Sequence, residues 1–386
     1  MSVWDDLVGQ QPLVRLLQRA VLAAQDRLAG GSGSGMTHAW LFTGPPGSGR
    51  SNAARAFAAA LQCEQGGCGV CNACRTALSG AHPDVTLVRT DGLSIGVKDI
   101  RELVRAAALR PSSRRWQSIV VEEADRLTPQ AADAMLKSLE EPASRTVWML
   151  CAPAAEDVLI TLRSRCRSVV LRTPPTSAVT TMLVERDGVP EGIAAFAARA
   201  SLGHIGRARR LARDEATRNR RHEIIALPPS LVDLGACLTA ASNLHAAAEE
   251  DATAVAAGLD GAERAGLATV WGVAPGARRP PRGYLSDVSQ LEKEQKSRRR
   301  RVVTDSVDGA LLELLSFYRD VLIVQAGADS LLINEEVRAD VVAVARRGSA
   351  EQTLRRIDAI GSCREALTLN AAPLLALESL MLKLRL

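Results

Sequence analysis

The chain has 386 residues, 47% of them apolar and 24% charged, with a net charge of +5. That length leaves room for two or three domains with cores of their own, and the mild positive balance permits a nucleic-acid partner without requiring one. Aromatics at 3% exclude a broad base-stacking platform, and no run is apolar enough to span a bilayer.

In chain order, residues 11–29 carry Leu13, Leu16, Leu17, Ala20, Val21 and Ala24 at helical spacing. A Gly/Ser stretch at 30–35 ends that helix. Residues 39–43 form a short apolar strand running straight into Gly44-Pro-Pro-Gly47-Ser-Gly49-Arg50-Ser51. An alanine-rich helix follows over 51–61, then a cysteine-rich loop, then a helical stub near 73–79. Strands are predicted at 84–89, 118–121, 146–151 and 168–171, and helices at 97–108 and 129–140 with a helical turn at 156–161. Strands separated by helices imply a parallel sheet covered on both faces.

Beyond residue 174 the pattern is all-helical. The expected domains are 1–174, a small helical domain at 175–228 and a larger helical domain at 229–386. Residues 275–301, with several prolines and glycines and the run Arg298–Arg301, read as a disordered insertion that packs no core. Its bland reading is a solvated loop, and its sharper one is a weak contact with DNA phosphates.

The glycine loop has the spacing of a phosphate-binding turn. Gly44, Gly47 and Gly49 let the backbone curl so that successive amides face an anion, and the next helix adds its positive end. Ser51 stands where a hydroxyl would bind magnesium. The customary lysine is replaced by Arg50, a longer and planar cation. Two readings stay open: a nucleotide-holding loop, and a loop that keeps the fold but holds ATP and Mg2+ weakly or not at all. At the end of the 118–121 strand, Glu122 and Glu123 stand where acids would hold magnesium and polarise water. The extra methylene of Glu122 relative to aspartate works against that geometry, and a solvated strand end is the simpler alternative.

Cys63, Cys68, Cys71 and Cys74 have the spacing C-x4-C-x2-C-x2-C. The start Met1-Ser-Val-Trp-Asp-Asp6 has neither a basic n-region nor an apolar core, so a cytoplasmic location is expected, where thiols stay reduced. Four thiolates at this spacing predict one closed, structural Zn2+ site. In Thr161-Leu-Arg-Ser-Arg165-Cys166 the arginines are either surface charges or groups that reach a phosphate on a neighbouring subunit. His38, His82, His204 and His222 share no spacing and read as ordinary residues.

Taken together, these pieces resemble the bacterial clamp-loader family of AAA+ proteins that serves the replicative DNA polymerase. The residues that carry the resemblance are Gly9-Gln10, the loop 44–51, the cysteines 63–74, Ala131-Ala-Asp-Ala-Met-Leu-Lys-Ser-Leu-Glu-Glu-Pro142, Ser164-Arg-Cys166 and Phe317-Tyr-Arg-Asp-Val-Leu322. Two subunit types share this pattern: a gamma/tau motor that hydrolyses ATP, and a delta-prime stator. The motor has lysine where this chain has Arg50, a threonine sensor where it has Leu150-Cys151-Ala152, and a second-sensor arginine where it has Gly206. These three departures resemble the delta-prime type. The resemblance implies that Arg165 acts in trans on ATP held by an adjacent gamma/tau subunit. It further implies gamma/tau and delta subunits, the sliding clamp and primed DNA as partners, with Lys98 near DNA phosphate. The alternatives are an active gamma/tau-like ATPase and a free-standing zinc-bearing ATPase of DNA repair.

Overall fold

Five short apolar runs become the strands of one parallel sheet: β1 (Ala39–Thr43), β2 (Val85–Val88), β3 (Gln117–Val121), β4 (Thr146–Ala152) and β5 (Arg167–Val170), in the order β2-β3-β4-β1-β5. The computed structural model describes residues 2–90, 94–273, 281–328 and 331–386. Every residue of β1, β3 and β4 is buried, which is why these strands read as continuous apolar runs rather than alternating ones. The two faces are nonetheless sorted by parity. Trp40 and Phe42 turn to one side of β1, Ala39 and Leu41 to the other. Register pairs Leu41 with Leu150 and Phe42 with Val169.

Helices α1 (Gln11–Leu28), α2 (Arg50–Gln62) and α3 (Asn72–Ser79) cover the first face, with Phe57 edge-on to Trp40 at 5.1 Å. Helices α4 (Val97–Ala107) and α5 (Pro129–Glu140) cover the second. Thr128 caps α5 by accepting from the Ala131 N–H at 3.2 Å, and Pro129 presets the first turn. The helical turn expected at 156–161 lies later, as α6 (Ile160–Arg163). Helices α7 (Thr176–Glu185), α8 (Glu191–Ala200) and α9 (Ile205–Arg213) close around a small core of their own that includes Leu183, Ala198 and Leu211. This part of the chain is thus a five-stranded parallel sheet with helices on both faces, followed by a small helical bundle.

The chain divides into two compact units, Met1–Arg213 and Asp214–Leu386. The second is helical throughout its described residues: α10 (Glu215–Ile225), α11 (Leu234–Val270), α12 (Arg282–Gln325), α13 (Arg338–Arg347), α14 (Ala350–Thr368) and α15 (Pro373–Leu384). Helix α10 falls here, so the first unit ends at residue 213 where sequence placed a boundary at 228. The reason is burial. Ile224 and Ile225 join the core built from Leu311, Leu314, Phe317 and Tyr318 of α12. Arg221, 3% exposed, pairs with Glu313 at 3.1 Å and also with Glu336 and the Asn334 side chain.

The disordered insertion expected at 275–301 is corrected over most of its length. Residues 274–280 lie outside the described residues, but 282–301 form the first turns of α12. Composition counted the charges and missed their pairing. Arg298 bonds Asp260 and Glu263 of α11 at 2.7 Å each, and Arg299 reaches Glu249 at 2.8 Å. The two helices therefore zip by ion pairs where large apolar residues are scarce.

Candidate functional site

The glycine loop lies at the C-terminal end of β1, between β4 and β5. Gly44, Gly47 and Gly49 take φ of 156°, 84° and 90°. Gly49 caps α2 in the left-handed region, and Arg50 and Ser51 open that helix. The loop thus curls tightly into the first turn of α2.

Its contents come from the chain itself. The Arg50 Nη1 donates to the Gly44 carbonyl at 3.0 Å, folding the cation back over its own loop. His204, at the entry to α9, packs on Gly47. A Cβ built on Gly47 would lie 2.6 Å from the His204 Cα and 2.3 Å from its Cγ. Only glycine fits there. Burial lowers the His204 pKa, and the nearby charges of Arg210, Arg207 and Arg50 lower it further. A neutral imidazole therefore sits against the loop.

The acids after β3 are engaged as well. The Glu122 Oε1 lies 2.5 Å from the Arg55 Nε, one turn into α2, and Glu122 is buried. Glu123 faces Arg126 at 3.8 Å. Asp125 has its pKa raised, burial outweighing the opposing pull of Arg50 and Arg126. Cys151, at the sensor position of β4, points its thiol at the Arg50 carbonyl at 3.8 Å, and burial pushes that thiol well up. Sequence missed Arg55 and His204: one reads as a surface charge on an alanine-rich helix, the other as a lone histidine.

The four cysteines do come together. Their sulfurs all lie within 4.8 Å of one another, with Cys63 Sγ 3.7 Å from Cys68 Sγ and 3.8 Å from Cys71 Sγ. A tetrahedron with Zn–S bonds of about 2.3 Å has edges of about 3.8 Å, so this donor set fits zinc. Backbone amides of Cys68, Cys71 and Cys74 each donate to a cluster sulfur at 3.4 Å, as thiolates require. Burial alone would raise the Cys63 pKa, but the Cys68, Gly67 and Gln65 amides outweigh it and bring it down to about 6. Backbone amides of Val70 and Cys71 lower that of Cys68. Cys74 goes the other way, raised by burial and by its sulfur neighbours, Cys63 included. A cation bound among the four sulfurs would offset the charge that the remaining thiols avoid by staying protonated. The N-terminal segment clamps the loop: Trp4 Nε1 donates to Gly66 O at 3.3 Å, and a Cβ on Gly67 would lie 2.6 Å from Val3 Cγ2.

Arg165 follows α6 on the loop into β5, with its side chain about one-third exposed. Its Nε donates to Glu140 Oε1 at 2.7 Å, and Nη2 binds the same oxygen. Its Nη1 donates to the Thr161 carbonyl at 2.8 Å and to the Ser164 hydroxyl at 3.2 Å. Next to it Cys166 packs inward, its thiol pushed up to about 12 by burial. Lys98 is exposed in the first turn of α4. No helix among the described residues is long and apolar enough to cross a membrane.

Comparison with known proteins places these features. Residues 28–175 match the family described as DNA polymerase III, delta subunit. The DNA polymerase III delta-prime subunit of Bacillus subtilis is 32% identical over 48% of this chain and 55% of its own length. The gamma/tau subunit of Mycobacterium tuberculosis is 32% identical over 48% of this chain and 32% of its own. The delta-prime subunit of Pseudomonas aeruginosa is 35% identical over 33% of this chain and 41% of its own. The chain thus spans about half, or less, of the length of the curated relatives it matches. Over the stretch that they share, the chain is similar to the delta-prime and gamma/tau subunits of DNA polymerase III.

Proposed function

We propose that this chain is a stator-like subunit of a DNA polymerase III clamp loader that lends Arg165 to ATP bound by an adjacent gamma/tau subunit and turns over no ATP itself. The observation that carries this reading is the state of its own nucleotide loop. Arg50 is folded onto the Gly44 carbonyl, His204 packs on Gly47, and Glu122 is tied to Arg55. The cation of the loop and the first acid after β3 are thus each held by a group of the same chain. Arg165 stands on a surface loop with its side chain about one-third exposed, where an incoming phosphate can compete with Glu140 for its donors. A guanidinium so placed stabilises charge that builds up on a transferring phosphoryl group.

In this reading the gamma/tau and delta subunits and the sliding clamp are the partners, and primed DNA passes through the complex, with Lys98 contributing one phosphate contact. Zinc at Cys63, Cys68, Cys71 and Cys74 serves the fold alone, because four protein ligands leave no open coordination position.

The test is reconstitution with gamma/tau, delta, clamp and primed DNA. The Arg165→Ala subunit should assemble normally and lower phosphate release by ~10³-fold or more at the site it completes. An unchanged rate at that site would remove Arg165 from the chemistry. Vigorous ATP turnover by the isolated chain, abolished by Arg50→Ala, would make it a motor instead.

A further inference from the structure

Helices α11 and α12 reach beyond the core of the second unit. In α11 the last fully buried residue is Ala252, and in α12 none of the described residues before Gln295 is buried. The ends of α11 and α12 beyond those residues make a two-helix arm, and its charges are not evenly spread. Toward α11, Arg298 meets Asp260 and Glu263, and Gln295 bonds the Asp260 carbonyl. On the flanks, Arg264 meets Glu292, Arg299 meets Glu249, Arg301 meets Asp305, and Asp287 accepts from the Trp271 indole.

The face of α12 turned away from α11 is different. At 3.6 residues per turn, Arg282, Ser286, Ser289, Lys293, Lys296, Ser297 and Arg300 fall within a sector of roughly 120°. Among the described residues this sector holds no carboxylate, although Asp287, Glu292 and Glu294 lie just outside it. Lys293, Lys296 and Arg300 are exposed and have no ion-pair partner among the described residues. The stripe runs about 27 Å, at 1.5 Å per residue. Cations interleaved with hydroxyls are the donors that phosphate oxygens take up.

We propose that this face of the arm binds the sugar–phosphate backbone of nucleic acid, as a contact separate from Lys98. Charge complementarity selects the partner. A straight row of cations without interspersed acids suits a regular polyanion, whereas an acidic protein surface, with scattered charges of both signs, gains less from such a row. The stripe holds no aromatic side chain on which a base could stack, so the sugar–phosphate backbone is the part of the nucleic acid that its cations suit.

The experiment titrates the full chain into fluorescein-labelled duplex and primed-junction DNA at ~50 to ~200 mM salt. Log affinity should fall linearly with log salt. Lys293→Ala/Lys296→Ala/Arg300→Ala should flatten that slope by about 2–3 and weaken low-salt binding by ~10-fold or more, because each phosphate contact contributes about 0.9 to the slope. Adding Lys98→Ala should produce a further, additive loss. An unchanged slope in the triple variant, or no binding by the parent chain at low salt, overturns the proposal. So does polyglutamate displacing DNA as well as DNA itself does at equal charge, which would mark the face as a site for acidic protein. Should the triple variant lose helix, acetylation footprinting of the parent chain decides: DNA must shield Lys293 and Lys296, and equal labelling with and without DNA overturns the proposal.

Discussion

Arg55 Nε lies 2.5 Å from Glu122 Oε1, so an arginine one turn into α2 neutralises the buried acid at the end of β3. Removing one member of such a pair strands the other. Arg55→Ala should destabilise the first unit by about 1–2 kcal/mol, below the full cost of breaking a buried pair because the Arg55 side chain is about one-third exposed. Adding Glu122→Gln should restore most of the loss. Urea denaturation followed by circular dichroism reads both, and a single variant as stable as its parent would show that the contact contributes nothing.

His204 makes the loop sensitive to acid. Its folded pKa lies below the ordinary histidine value because of burial first, then Arg210, Arg207 and Arg50. Between the folded and unfolded values the unfolded chain binds more protons, so stability falls as the pH drops below ~6.5 and the loss is complete below the folded value. His82, lowered by burial, adds a slope in the same window. His204→Asn should therefore remove part of the decline in Tm between about pH 7 and pH 5, not all of it. Thermal melts across that range check it, and identical profiles for parent and variant would take His204 out of the account.

The cysteine cluster should hold about one zinc per chain by elemental analysis. Stripping it with a chelator, or Cys68→Ser, should lower the Tm of the first unit by roughly 5–10 °C, taking a loss of a few kcal/mol over a unit of this size. The helices of the second unit should melt unchanged, since the sulfurs are packed into the core around Val3, Trp4, Val21 and Ala60 of the first. A metal-free protein with an unaltered melt would contradict a structural role.

The sequence made the sheet readable because its three central strands are short, fully buried runs, and its strands alternate with helices of clear periodicity. The boundaries of β1 and α5 fall where patterning put them. The cysteine cluster was readable for a similar reason, since all three of its intervals are short and the fold has only to close a small loop. What stayed hidden depends on distant partners. Arg55 gains meaning only when α2 is laid beside β3, and His204 only when the turn before α9 is brought to Gly47. Glu140 sits within a recognised motif, but nothing local says that its carboxylate meets Arg165. The arm was misread because composition weighs proline, glycine and charge without seeing that Arg298 and Glu263 stand on facing helices.

All three guanidinium nitrogens of Arg165 already donate within its own chain, to Glu140, Thr161 and Ser164. Such a side chain is a poor scavenger of stray anions, because any newcomer must first displace a carboxylate. At this one side chain, a free phosphate in solution therefore gains little by binding. Only an anion held firmly and at the right angle, with several oxygens on offer at once, makes the exchange worthwhile.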